Sequence, residues 1–398
     1  MNNLLIKNLR ILDGEPTDLL IENGRIAKIA PDQEAGTTPV EDAGGCIAIP
    51  ALTEAHTHLD KSLLGYPWYH NDVGGGNLMA MIDNERQMKT RLGMDPHVQS
   101  MRHALKTAGY GATLIRSHVD IDTTGGLRAL EGVMETAEKL ADVVGIQTVA
   151  FPQSGLMISP GTAELLDEAL KMGADLMGGL DPCGVDHDPK GHLDTIFALA
   201  DKHGKGIDIH LHERGELGAF SMEQTLDRAE ALGMKGMISI SHAFCLGMPD
   251  QARVEGLLER LAAQDVAIMT TAPASSPAPL VKQLQAHGIR IGSGNDGIQD
   301  TWGPYGNGDM LERAKFVGLR NNLRSDKEMY QALDICAGGG AVAMGMERRA
   351  LEEGAPGDLV LVEGVAVAHA IVSHAPRKLV VKAGKVTARD GATLIEAP

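Results

Sequence analysis

The sequence predicts an α/β protein: a (β/α)8 TIM barrel with a small β-sandwich domain built from both chain ends. Three observations predict it. Eight short β-rich runs alternate with helical segments over about 300 residues, which is the arithmetic of such a barrel. The two ends of the chain instead alternate like strands around glycine turns. Polar, ligand-capable side chains fall at the ends of the eight runs, where barrel chemistry sits. A doubly wound open sheet is the competing reading.

At the N-terminus, LLIKNLRIL, DLLIENGRIAKIA and CIAIPA read as strands, the second folded at Asn23-Gly24. The barrel runs follow in order: CIAIPALTEAHTH, TLIRSHVDI, IQTVAFPQ, ADLMGGLDP, GIDIHLHE, MISISHA, VAIMTTAP and IRIGSGND. Between them lie DPHVQSMRHALKTAG, LRALEGVMETAEKLAD, TAELLDEALKMG, LDTIFALADKHG and DQARVEGLLERLAAQ, several of which end at a glycine as helices do. DLVLVEG, HAIVSH and KLVVKAGKVTARDG return to strand-like alternation. The expected division is therefore residues 1–50 with 347–398 as the small domain and 51–346 as the barrel. Gly74-Gly75-Gly76 reads as a flexible connection, an ordinary loop in preference to a lid formed by residues 62–90.

Composition narrows the function. The chain has 398 residues, 43% of them hydrophobic, so it can bury a large core. The net charge of −17, spread rather than gathered in a tail, disfavours nucleic acid and anionic membrane surfaces as partners. No run of about 18 apolar residues and no leader-like N-terminus occurs, and four cysteines stand far apart, so a cytoplasmic protein without disulfides is expected. Barrel enzymes of this size commonly form homo-oligomers.

The chemistry starts at TEAHTHLDKS. His56 and His58, two positions apart on a strand, point to the same face, about 7 Å apart along the backbone. They can meet at one metal ion with further ligands from other strands, His210 and Asp296 being the natural candidates. Imidazoles with a carboxylate suit Zn²⁺ or Fe²⁺, and such an ion lowers the pKa of a bound water, supplying hydroxide for hydrolysis near neutral pH. One histidine alone is more often a hydrogen-bonded interior side chain; the set carries the argument. Glu213, three residues past His210, is placed to shuttle protons, and His242 with Asp296 to activate the water. His118, Asp120, Gln153, Asp181 and His212 also stand at strand ends. Other signatures fail: HERGE lacks the second histidine of a zincin, and no nucleophile elbow or phosphate loop appears.

EAHTHLDKS, RSHVDID, FPQSG, DIHLHE, SHAFC and SGNDGIQDTWGPYGNGDML, followed by AVAMGM and GAPGDLVLV, form an ordered series. In this the chain resembles the amidohydrolase superfamily, and within it the cytosine deaminase group, over nearly its whole length. The resemblance implies one divalent metal ion held by His56, His58, His210 and Asp296. It implies Glu213 as the acid/base at the ring nitrogen and departing amine, His242 as the partner of Asp296, Gln153 on the substrate's carbonyl and N–H edge, and Trp302 as an aromatic wall. Lys61 and His212 are taken as loop or substrate contacts. Gly297 departs from the group, which typically carries a second aspartate there, so the preferred ring differs from cytosine if that position selects it.

YGNGDM and the HLH order are also similar to N-isopropylammelide amidohydrolases. The expected function is metal-dependent hydrolytic deamination of a small nitrogen heterocycle, cytosine or a cytosine-like ring first. The alternatives are release of an alkylamine from an s-triazine, opening of a cyclic amide, and a non-catalytic scaffold of the same shape.

Overall fold

Runs buried on both faces alternate with helices buried along one stripe, the pattern that lets helices cover a parallel sheet from outside. The computed structural model describes residues 2–73 and 77–398; Gly74 to Gly76, the expected flexible connection, lie outside the described residues. The N-terminal strands are β1 (Leu4–Ile11), β2 (Pro16–Glu22), β3 (Arg25–Ala30), β4 (Val40–Asp42) and β5 (Ile47–Pro50). The barrel strands are β6 (Leu52–Thr57), β7 (Ala112–Asp120), β8 (Gly145–Phe151), β9 (Leu176–Leu180), β10 (Gly206–His210), β11 (Ile238–Ser241), β12 (Ala267–Thr270) and β13 (Arg290–Ser293). The chain ends with β14 (Leu359–Val362), β15 (Arg377–Lys382), β16 (Lys385–Arg389) and β17 (Ala392–Thr393).

Strands β6 to β13 pair in sequence order, all parallel, and a parallel bridge from Thr57 to Asp296 brings the two edges together. This is the (β/α)8 barrel, not an open doubly wound sheet. The remaining nine strands form one mixed sheet drawn from both termini, in which β14 pairs antiparallel with β5. Its core holds Leu4, Ile6, Leu19, Ile21, Leu361 and Val381. The β2–β3 turn places Asn23 at φ 50° and Gly24 at φ 77°, the two left-handed residues of a tight hairpin.

Two elements differ from the sequence reading. CIAIPALTEAHTH, counted as one barrel run, is two strands: Ile47–Pro50 is the terminal-sheet strand read as CIAIPA, and Leu52–Thr57 alone opens the barrel, Pro50 having no N–H with which to extend the first ladder. HAIVSH is not a strand but part of the helix Val367–Ser373, which buries Val367, Ala370 and Ile371. That spacing of three and four is helical, and in so short a segment it passes for alternation. Among the described residues, no helix is long and apolar enough to cross a membrane.

One guanidinium ties the barrel interior. Arg116 on β7 donates to Gln147 on β8 (2.8 Å), Asp208 on β10 (2.8 Å), Ser239 on β11 (3.1 Å) and the Met344 carbonyl (2.9 Å). Both Arg116 and Asp208 are buried. Arg116→Ala removes the buried counter-charge of Asp208, so stability to urea should fall by roughly 3–5 kcal/mol. A fall below about 1 kcal/mol would show that the pair is not a structural tie.

Candidate metal centre and its cavity

The carboxyl ends of the strands deliver the site. His56 lies on β6 and His58 one residue past its end, His210 closes β10, and Asp296 follows β13. One ligand atom from each of these four lies within 4.8 Å of the others. Asp296 reaches them because its backbone turns left-handed at φ 63°, with its N–H on the His56 carbonyl (2.9 Å) and its own carbonyl accepting from Thr57 Oγ1 (2.6 Å). A left-handed aspartate is uncommon, and here two hydrogen bonds hold it. Gly294 permits the approach: a Cβ there would stand 2.6 Å from the His56 nitrogen.

Hydrogen-bond direction fixes the His56 tautomer. The only proton of Ser241 Oγ goes to Asp208 Oδ1 (2.7 Å), so Ser241 accepts from His56 Nδ1 (2.9 Å). In the neutral ring His56 Nε2 is then the acceptor nitrogen, 3.4 Å from Asp296 Oδ1. Two acceptors facing each other in a buried site repel unless a cation stands between them. Among the described residues, both ring nitrogens of His210, His58 Nδ1 and His56 Nε2 have no hydrogen-bond partner. Burial, with the Lys61 charge adding to it, pushes His58 down to about 3, and burial also holds His210 well below the ordinary imidazole value. Neutral imidazoles with one carboxylate are a donor set that could hold a divalent metal ion.

Above the cluster opens a cavity of about 670 Å³. Its polar wall includes Lys61, Gln153, His212, Asp300 and Trp302, and Phe151 lies stacked on His210 at 4.2 Å between centroids. Lys61 Nζ is 2.7 Å from Gln153 Oε1, 3.1 Å from Asp120 and 3.4 Å from Glu85. An ammonium only donates, so the Gln153 oxygen must face it, and the amide NH₂ is left for the cavity. His212 is held through Nδ1 by Asp181 Oδ2 at 2.8 Å, which leaves Nε2 without a protein partner. Burial works against a charge on that ring, but the Asp181 carboxylate outweighs it and raises the pKa.

The structure brings His56, His58, His210 and Asp296 together and lines the cavity with Gln153, Trp302, His212, Lys61 and Gly297. His242 sits beside the cluster with Nε2 3.9 Å from Asp296 Oδ2, its backbone left-handed at φ 68°. Glu213 does not line the cavity. It accepts from the Cys183 and Gly184 N–H groups at 2.8 and 2.7 Å and from Ser221 Oγ, which turns its carboxylate into the loop after β9. Sequence reasoning assigned nothing to Ser241, Asp208 or Asp300. The signal for Asp208 was present, a carboxylate two residues before His210 and so on the same strand face. His118 had no role; it lies 4.4 Å from both His56 and His210 by ring centroid, with neither nitrogen partnered.

Residues 39–388 match the model of the amidohydrolase family. The chain is 30% identical over 400 residues to N-isopropylammelide isopropyl amidohydrolase of Pseudomonas sp. (strain ADP), covering 98% of each. Among solved structures it is similar to N-isopropylammelide isopropylaminohydrolase from Burkholderia multivorans ATCC 17616. That match has 45% identity, a TM-score of 0.95, and coverage of 99% of this chain and 100% of the other. It is also similar to 5-methylcytosine deaminase from Klebsiella pneumoniae liganded with 5-fluorocytosine, at 25% identity, TM-score 0.84, and coverage of 98% and 99%.

Two substitutions separate ligand from support. His210→Ala should lower the metal content of purified protein, read by elemental analysis, whereas Ser241→Ala should keep the ligands but weaken metal affinity about 10–100-fold in a chelator competition. Full occupancy in the first variant would show that the ligand set is wrong. Unchanged affinity in the second would show that Ser241 does not set the tautomer.

Proposed function

The chain belongs to the amidohydrolase family, and from that premise we propose that this hydrolase of non-peptide C–N bonds expels an alkylamine from an N-alkylamino-s-triazine bearing ring carbonyls. N-isopropylammelide is the first compound to try. The observation that carries the reading is the Gln153 amide, whose oxygen is taken by Lys61 and whose donors are left for a ring carbonyl. The likeness to two N-isopropylammelide hydrolases supports it. Sequence alone put a cytosine-like ring first and the triazine second; the Gln153 donor suits the carbonyl of either ring, and it is the two likenesses that favour the triazine. A cytosine-type deamination is the second reading, supported by the likeness to 5-methylcytosine deaminase.

A divalent ion held by His56, His58, His210 and Asp296 would supply Lewis acidity and an acidified water. The rest falls to side chains. Gln153 holds a ring carbonyl and so sets which ring carbon faces the attacking oxygen. His242, kept neutral by burial and beside Asp296, takes the proton lost by the water. The amine leaves only when protonated. His212 is the cavity-lining group placed to give that proton, since Asp181 favours its charged form and engages only Nδ1. Glu213, the shuttle expected from sequence, has both carboxylate oxygens engaged by other donors.

Protein loaded with Zn²⁺ or Fe²⁺ in turn should release isopropylamine from N-isopropylammelide faster than it releases ammonia from cytosine or 5-methylcytosine. Ammonia release alone establishes the second reading, and neither amine overturns both. His212→Gln should retain metal while turnover drops about 10²–10⁴-fold, with Glu213→Gln falling less. The reverse ranking, at equal metal content, returns the proton-transfer role to Glu213.

A further inference from the structure

We propose that Asp300 is a substrate-contacting residue that reads a ring N–H, admitted to the cavity by the missing side chain at Gly297. Asp300 follows Asp296 by four residues, is buried, and lines the cavity together with Gly297. Its Oδ1 is satisfied inside the loop by the N–H groups of Trp302 (2.8 Å) and Gly303 (3.0 Å). Its Oδ2 has no hydrogen-bond donor or cationic partner among the described residues. That oxygen is not fully buried, so it is open to accept a hydrogen bond from a ligand in the cavity.

Gly297 accounts for how the carboxyl comes to be there. Its φ lies outside the left-handed region, so the backbone would tolerate any residue. Space would not: a Cβ would stand 2.7 Å from Asp300 Cγ, 3.1 Å from Oδ1 and closer still to Oδ2. The absent side chain and the present carboxyl are therefore alternatives for one volume. Burial pushes the Asp300 carboxyl up to about 6, against the pull of the Lys61 charge, so near neutrality it is chiefly the acceptor form.

The ligand class follows by complementarity. Gln153 presents donors and Asp300 an acceptor to one cavity, which suits a ring edge carrying a carbonyl and an N–H, a cyclic amide or imide. The inference rests on the proposed hydrolase reading for its substrate. A binding measurement separates the two, because the hydrolysis product of such a triazine, cyanuric acid, carries the same edge.

Calorimetric titration of metal-loaded protein with cyanuric acid, beside the amine-release assay, is the test. Asp300→Ala should weaken binding and lower kcat/KM about 10–100-fold without loss of metal. Gly297→Ala should do the same and also destabilise the fold, since it evicts a buried carboxyl. Gly297→Ala combined with Asp300→Ala should regain thermal stability and bind no worse than Asp300→Ala. Binding in Asp300→Ala equal to that of the parent protein overturns the inference, as does a parent protein that binds no ring. Ring binding that depends on Asp300 in a protein releasing no amine leaves the inference standing and removes the proposed reaction.

Discussion

The site depends on how the barrel closes. Where β13 meets β6 the two edges are not joined by a long ladder but by Asp296, whose N–H reaches the His56 carbonyl while Thr57 reaches back to its own. The same residue then turns left-handed and brings its carboxylate to 3.4 Å from His56 and 3.2 Å from His58. Closure thus also completes the cluster that could hold a metal ion: a barrel open at this seam would lack its carboxylate. Glu54 supports the seam from behind, accepting from the Asn295 backbone at 2.8 Å, and Arg313 fixes the Asn295 side chain at 3.0 Å. Burial pushes Glu54 up to about 7, so this support comes from a carboxyl poised near its own titration.

From that seam a chain of hydrogen bonds runs down the barrel axis. Arg116 holds Asp208, Asp208 takes the Ser241 proton, and Ser241 in turn accepts from His56. Each step has only one permissible direction, because a guanidinium cannot accept and a carboxylate cannot donate. The interior charge pair that ties four strands together is therefore also what aims a lone pair at the metal position. Stability and ligand tautomer are set by the same side chains, and a substitution at Arg116 cannot disturb one without the other.

The sequence showed the larger outline. The eight runs could be counted, the histidine pair at positions 56 and 58 could be assigned to one face, and His210 and Asp296 were reachable as strand-end ligands. Three things were not legible, each for a physical reason. The strand break inside CIAIPALTEAHTH separates two strands that are both buried almost throughout, so burial carries no mark of it, although the domain boundary itself was legible at residue 50. The direction of Glu213 depends on the Cys183 and Gly184 N–H groups thirty and twenty-nine residues away, which only the folded loop brings near. And the glycine at 297 reads as the loss of a polar group, whereas in space Asp300 fills the volume. Sequence shows which side chain is absent at a position but not which neighbour takes its place.

The polar wall also depends on a carboxylate that never faces the ligand cluster. Glu85, on the helix Leu78–Leu92, accepts from Lys61 and Lys89 and from the Trp302 indole. With Asp120 it outweighs the burial that would neutralise Lys61 and keeps the ammonium charged. A charged Lys61 cannot serve as a base; what it does is hold the Gln153 oxygen and, through that, choose which half of the amide the cavity presents. The aromatic wall and the donor wall thus share one anchor on a helix outside the barrel's repeating pattern. A net negative chain can offer a locally donor-rich cavity in this way, because the compensating acids stand behind the lysine and not in front of it. The selectivity for a carbonyl-bearing ring would then be a property of that helix docking as much as of the barrel strands.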